Sequence, residues 1–80
     1  MGKWMEVDNN LVREWIFKDF NEAFAFLTRV GLLAEKLNHH PEIWNVYNKV
    51  RISLTTHDAG NTITEKDRKM AAEIDRWGDG

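Results

Sequence analysis

The spacing of apolar positions changes character along the chain, and each change marks an element. Trp4-Met5-Glu6-Val7 predicts a short strand, followed at Asp8-Asn9-Asn10 by residues that tolerate turn geometry. Leu11 to Lys18, rich in β-branched and aromatic residues, predicts a second strand and hence a hairpin. Within it Trp15-Ile16-Phe17 is continuously apolar, the pattern of a segment covered on both faces.

After Lys18 the period lengthens to about 3.6 residues, which predicts a helix capped by Asp19 or Asn21 and running to Leu37. On a helical wheel Phe20, Phe24, Leu27 and Ala34 form one stripe, and Ala23, Phe26, Val30, Leu33 and Leu37 a second beside it. Their combined arc is wider than the single stripe a surface helix needs to pack on one core. One stripe is expected on the sheet. The other, whose spacing alternates three and four, is expected to meet a partner helix, making a homodimer or homotetramer through helix 19–37.

Asn38 to Pro41 ends that helix, because proline restricts the residue before it to extended backbone. Ile43 to Tyr47 predicts a third strand, Asn48-Lys49 a tight turn, and Val50 to Thr56 a fourth strand. In the fourth, Val50, Ile52 and Leu54 alternate with Arg51, Ser53 and Thr55, and continuing the alternation puts His57 on the polar face. Asp58 to Asn61 reads as a loop, and Thr64-Glu65-Lys66-Asp67 as a capping box. Met70, Ala71, Ile74 and Trp77 then mark the buried face of a last helix stopped by Gly78-Asp79-Gly80. The order β-β-α-β-β-α implies an α+β fold, a four-stranded antiparallel sheet with helices packed on one face.

Composition narrows what such a fold can do. Eighty residues make one domain, 1–80, and a domain this small buries only about 60% of its unfolded surface. With no cysteine, disulfides, thiolate nucleophiles and cysteine zinc sites are excluded, and self-association is the remaining source of buried area. A net charge of -2 without a cluster of Lys and Arg gives no footprint for direct nucleic-acid binding. No apolar run reaches a membrane-spanning length and no signal-peptide core follows the first residues, so a cytoplasmic location is expected.

The candidate chemistry sits between Glu35 and His57, where all three histidines, His39, His40 and His57, are found. Imidazole titrates near neutral pH, so three brought together would be proton-transfer machinery. Adjacent side chains in extended backbone point apart, and no further acid or histidine follows at a ligand spacing; no metal is expected. A purely structural reading stays open on spacing alone, with the pair capping the helix end and His57 a solvated strand end.

The segment Glu35-Lys36-Leu37-Asn38-His39-His40-Pro41, with Tyr47, His57 and Asp67 following, resembles the signature of the pterin-4a-carbinolamine dehydratases. The blocks Phe17 to Phe24 and Asn45 to Val50 are similar to that family too, and the resemblance spans Trp4 to the end of the last helix. It implies a dehydratase that converts 4a-hydroxytetrahydropterin to quinonoid dihydropterin and water, with no cofactor. By the resemblance His39, His40 and His57 are catalytic, and Glu35, Asn38, Trp44, Thr55 and Thr56 bind the pterin. Asp67 matches the last acid of the signature and reads here as a helix cap. Three departures stand out: the family's additional N-terminal helix has no counterpart, Asn38 replaces a frequent acid, and Ile43 replaces a frequent aromatic. The resemblance also admits a non-enzymatic module that binds a protein partner as a coactivator, or a protein acting on a molybdopterin-type ligand.

Overall fold

The computed structural model describes residues 3–77. The expected helix stop at Gly78-Asp79-Gly80 lies outside the described residues. Strands β1 (Met5–Val7), β2 (Asn10–Ile16), β3 (Glu42–Val46) and β4 (Lys49–Leu54) form one sheet in the order β1-β2-β4-β3. All neighbours are antiparallel. Helices α1 (Phe20–Leu37) and α2 (Glu65–Asp75) cover one face, giving the α+β architecture that the hydropathy pattern predicts.

Local chemistry explains the connections. Asp8 and Asn9 take φ of 50° and 66°, the left-handed backbone that Asp and Asn accept and that a two-residue hairpin requires. Asn10 therefore belongs to β2, opposite Val7, and its amide donates to the Asp8 carbonyl at 2.8 Å. Asp19 caps α1 by accepting from the Glu22 N–H at 2.9 Å. The β3–β4 turn falls on Tyr47-Asn48, one residue earlier than expected, because Lys49 already pairs with Val46 and Ile16. Asn48 is held there by donating its side-chain amide to the Phe17 carbonyl at 2.9 Å.

Alternation in β4 comes out as expected: Val50, Ile52 and Leu54 are buried while Arg51, Ser53 and Thr55 lie on the other face. Against the buried row pack Leu11 and Trp15 of β2, Ala23, Val30 and Ala34 of α1, and Met70, Ala71 and Ile74 of α2. Phe26 joins these layers, with its ring 4.7 Å from that of Trp15, 5.1 Å from Phe17 and 6.0 Å from Trp77.

Two expectations about burial are corrected. Ile16 is 60% exposed, so Trp15-Ile16-Phe17 is not covered on both faces: the helices take one side and the sheet's other face is open. On α1, the stripe assigned to a partner helix is the one that packs inward. Ala23 and Val30 are fully buried and Phe26, Leu33 and Leu37 pack against the core. Small Ala23, Val30 and Ala34 let the helix approach the sheet closely, which the wider Phe20 and Phe24 would prevent. Those two phenylalanines are left outside, stacked on each other at 5.5 Å. Among the described residues no helix is long and apolar enough to cross a membrane.

Candidate active site

Three chain reversals meet at the end of the sheet where β4 runs out and β3 begins. Helix α1 closes on Asn38, whose φ of 52° turns the chain sharply, and the His39 N–H donates back to the Ala34 carbonyl at 3.1 Å. That geometry aims His39 toward α2 and leaves His40 outside. Beyond β4, His57 opens a single 3₁₀ turn, His57–Ala59, which Gly60 and Asn61 close with φ of 85° and 58°. The turn is tied down by two bonds between Thr56 and Thr62 or Asn61: Thr56 N–H to the Thr62 carbonyl at 2.9 Å and Asn61 N–H to the Thr56 carbonyl at 3.0 Å.

A cleft of about 190 Å³ results, lined by Asn38, the three histidines, Thr55, Thr56, Asp58 and Lys66. The sequence therefore brings the three imidazoles to one place, although they lie at the ends of different elements. Of the other residues singled out beforehand, Asn38, Thr55 and Thr56 line the cleft. Glu35 does not; its carboxylate, exposed, meets His40 Nε2 at 2.9 Å. Trp44 also lies apart from the cleft, on the open face of the sheet beside Arg51. Thr55 donates its hydroxyl to the Asn9 carbonyl at 3.1 Å, fastening the cleft to the first hairpin.

Each histidine is oriented by a different acceptor. His39 Nε2 lies 2.5 Å from Asp67 Oδ1, and Asp67 is wholly buried. The other oxygen, Oδ2, accepts from Thr56 Oγ at 2.7 Å and from the Thr64 N–H at 2.9 Å. Because Thr56 gives its only hydroxyl proton to Asp67, Thr64 is the donor in the 2.7 Å Thr64–Thr56 contact. Burial alone would raise the Asp67 pKa; the bonds from the Thr64 amide, His39 and Thr56, together with the positive charge available on His39, outweigh it and hold the carboxyl below its ordinary range.

A carboxylate only accepts, so the proton of the contact belongs to His39 Nε2, and Nδ1 is the ring nitrogen left to exchange protons. His57 is arranged the other way round: its Nδ1 meets Asn61 Oδ1 at 2.6 Å, which leaves Nε2 for exchange. The cleft thus holds two imidazoles fixed by different elements, His39 from the end of α1 and His57 from beyond β4, and a third, His40, at the rim. Among the described residues no three His, Asp or Glu side chains are grouped closely enough to hold a metal ion.

Asp67 is the site residue that sequence reasoning under-reads. The pattern Thr64-x-x-Asp67 announces a capping box, and that box is present. A cap accounts for one carboxylate oxygen, and only the tertiary fold shows that the second faces His39 across 28 residues of chain.

Fold and cleft together define a small α+β domain in which three imidazoles line one cleft. Comparison with known proteins gives the family. The family model for pterin 4 alpha carbinolamine dehydratase matches residues 1–77. A protein of Synechococcus sp. (strain WH7803) named "Putative pterin-4-alpha-carbinolamine dehydratase" is 54% identical over 72 residues, 90% of this chain and 76% of that one. One of the same name from Prochlorococcus marinus (strain MIT 9515) is 54% identical over 71 residues, 89% of this chain and 73% of the relative. Among solved structures, a transcriptional coactivator/pterin dehydratase from Brucella melitensis superposes with a TM-score of 0.87 at 44% identity, covering 95% of this chain and 82% of its own. A pterin dehydratase-like protein described as a RuBisCO assembly factor in the alpha-carboxysome superposes with a TM-score of 0.79 at 27% identity, over 98% and 93%. The chain belongs to the pterin 4 alpha carbinolamine dehydratase family.

Proposed function

We propose that this protein dehydrates 4a-hydroxytetrahydropterin by general acid–base catalysis with His39 and His57, while His40 holds the substrate. The observation that carries this reading is the meeting of three histidines in one cleft, with His39 fixed by a buried, ionised Asp67.

Loss of water from the carbinolamine needs two proton movements. One imidazolium gives a proton to the 4a-hydroxyl as the C4a–O bond breaks. A neutral imidazole takes the N5 proton, and the N–H electron pair becomes the second bond of C4a=N5. Each such transfer is worth about 10²- to 10⁴-fold in rate when the group is well placed. Two imidazoles in one cleft, with their exchanging nitrogens set by Asp67 and Asn61, suit a reaction in which acid and base act together. After water leaves, a proton has moved from one histidine to the other. Exchange with solvent through the open cleft restores the starting state.

The test is stopped-flow dehydration of freshly generated 4a-hydroxytetrahydropterin, by the native protein and by a folded His39→Ala/His57→Ala variant. Acceleration by the native protein alone is expected. Equal rates with both proteins would remove the histidines from the chemistry.

A second reading, a protein-interaction module, is favoured by one observation. Phe20 and Phe24 form an exposed stacked pair on α1, at 46% and 55% exposure. Two of the similar structures are described as a transcriptional coactivator and an assembly factor. Absence of dehydration in the native protein, together with a partner lost on Phe24→Ser, would establish the module in place of the enzyme.

A further inference from the structure

The histidine cleft does not end at the histidines. His40, Thr55 and His57 also line a second hollow of about 280 Å³, which reaches Glu42 and Ser53 on the face of the sheet that no helix covers. Glu42 and Ser53 in turn line a third hollow of about 250 Å³ that ends at Trp44 and Arg51. Strand register explains the continuity. Glu42 is paired with Ser53 and Trp44 with Arg51, and since Ile52 and Leu54 point into the core, Arg51 and Ser53 of β4 and Thr55 just beyond it face outward. Thr55, Ser53 and Arg51 therefore form one row about 13 Å long, at roughly 3.3 Å per residue.

The chemistry changes along this trough. Its middle offers a carboxylate at Glu42 and a hydroxyl at Ser53, groups that accept hydrogen bonds. At its far end the Arg51 guanidinium lies over the Trp44 ring, 4.6 Å from its centre, with both groups partly exposed. Arg51 is held in that position from the other side by Glu14 at 3.4 Å. An exposed Trp–Arg stack is a platform for a further planar ring.

Resting on the dehydratase reading of the cleft, we infer that the trough from His57 to Trp44 is a subsite for the substituent at C6 of the pterin, and that it selects an arylaminomethyl group. The secondary amine donates to Glu42 or Ser53, and the aryl ring stacks on the open face of the Trp44–Arg51 pair. A pterin with a bare methyl group at C6 fills the cleft and leaves the trough to water.

The experiment compares two stable oxidised ligands, 6-methylpterin and 6-(anilinomethyl)pterin, by calorimetric titration of the native protein and its Trp44→Ala and Trp44→Phe variants. Trp44 is 40% exposed, so both variants keep the core. The anilinomethyl ligand should bind about tenfold more tightly to the native protein, an advantage lost in Trp44→Ala and retained in Trp44→Phe. Affinity for 6-methylpterin should be the same in all three. Equal affinity of the native protein for the two ligands, or an advantage that survives Trp44→Ala, overturns the subsite. Dehydration of 4a-hydroxy-6-methyltetrahydropterin, measured on the same samples, reads the cleft independently. Activity without an aryl advantage removes the subsite and leaves the dehydratase; an aryl advantage without activity removes the dehydratase and leaves a pterin-binding trough.

Discussion

Replacing Asp67 by Asn tests the link between the buried carboxylate and His39 with a change of one atom. Asp67 takes three hydrogen bonds, from His39 Nε2, Thr56 Oγ and the Thr64 N–H. In Asp67→Asn the amide oxygen can still receive Thr56 and Thr64, so the cap survives. The amide nitrogen then faces His39 and donates, which obliges Nε2 to be the unprotonated nitrogen and puts the proton on Nδ1. That is the tautomer in which His39 can no longer act as a base through Nδ1. The loss of properly placed proton transfer should lower kcat by about 10²- to 10⁴-fold with little change in KM. Stability should fall by about 2 kcal/mol, one charge-assisted hydrogen bond, which for a domain of this size is a drop of about 10 °C in Tm. The assay pairs stopped-flow dehydration with ¹⁵N NMR of the His39 ring, whose two nitrogens report the tautomer directly. A variant that dehydrates at the native rate, with unchanged ¹⁵N shifts, would refute the positioning role.

Other predictions follow from the same structure. The Asp67 pKa is lowered on folding, so its contribution to stability is complete above the ordinary aspartate range near 4 and is lost as pH falls through the lowered value. Urea titrations between about pH 5 and 2 should show this loss in the native protein, and a flatter profile in Asp67→Asn. Asn38→Gly should leave stability unchanged or slightly raised, whereas Asn38→Val should cost about 1–2 kcal/mol, because φ is 52° there; equal midpoints for the two would contradict the left-handed cap. Val30→Asp, at a fully buried site on α1, should prevent folding, while Phe24→Ser on the exposed side of the same helix should shift the urea midpoint by no more than about 0.5 kcal/mol. Circular dichroism of the two variants decides which stripe of α1 the core uses.

Much of this protein is legible along its sequence, because its elements are set by local rules. The period-two alternation of β4, the Asp-Asn turn, the Asp19 cap and the Thr64 capping box all depend on neighbours within a few residues, and all are found where the pattern puts them. The three histidines that carry the family resemblance do line one cleft, and their catalytic role is our proposal. Other features depend on groups distant in the chain. Periodicity says that α1 has a broad apolar arc; which part meets the sheet depends on how near the helix can approach, and small Ala23 and Val30 decide that. The apolar run at Trp15 to Phe17 does not reveal that both helices cross over to one side of the sheet, leaving Ile16 in water. Spacing equally cannot show that the second oxygen of a helix cap orients a histidine, or that Trp44 stands outside the histidine cleft. A local pattern sets the conformation of a segment, but a contact between segments depends on which faces the whole chain can bury at once, and that balance is settled only in three dimensions.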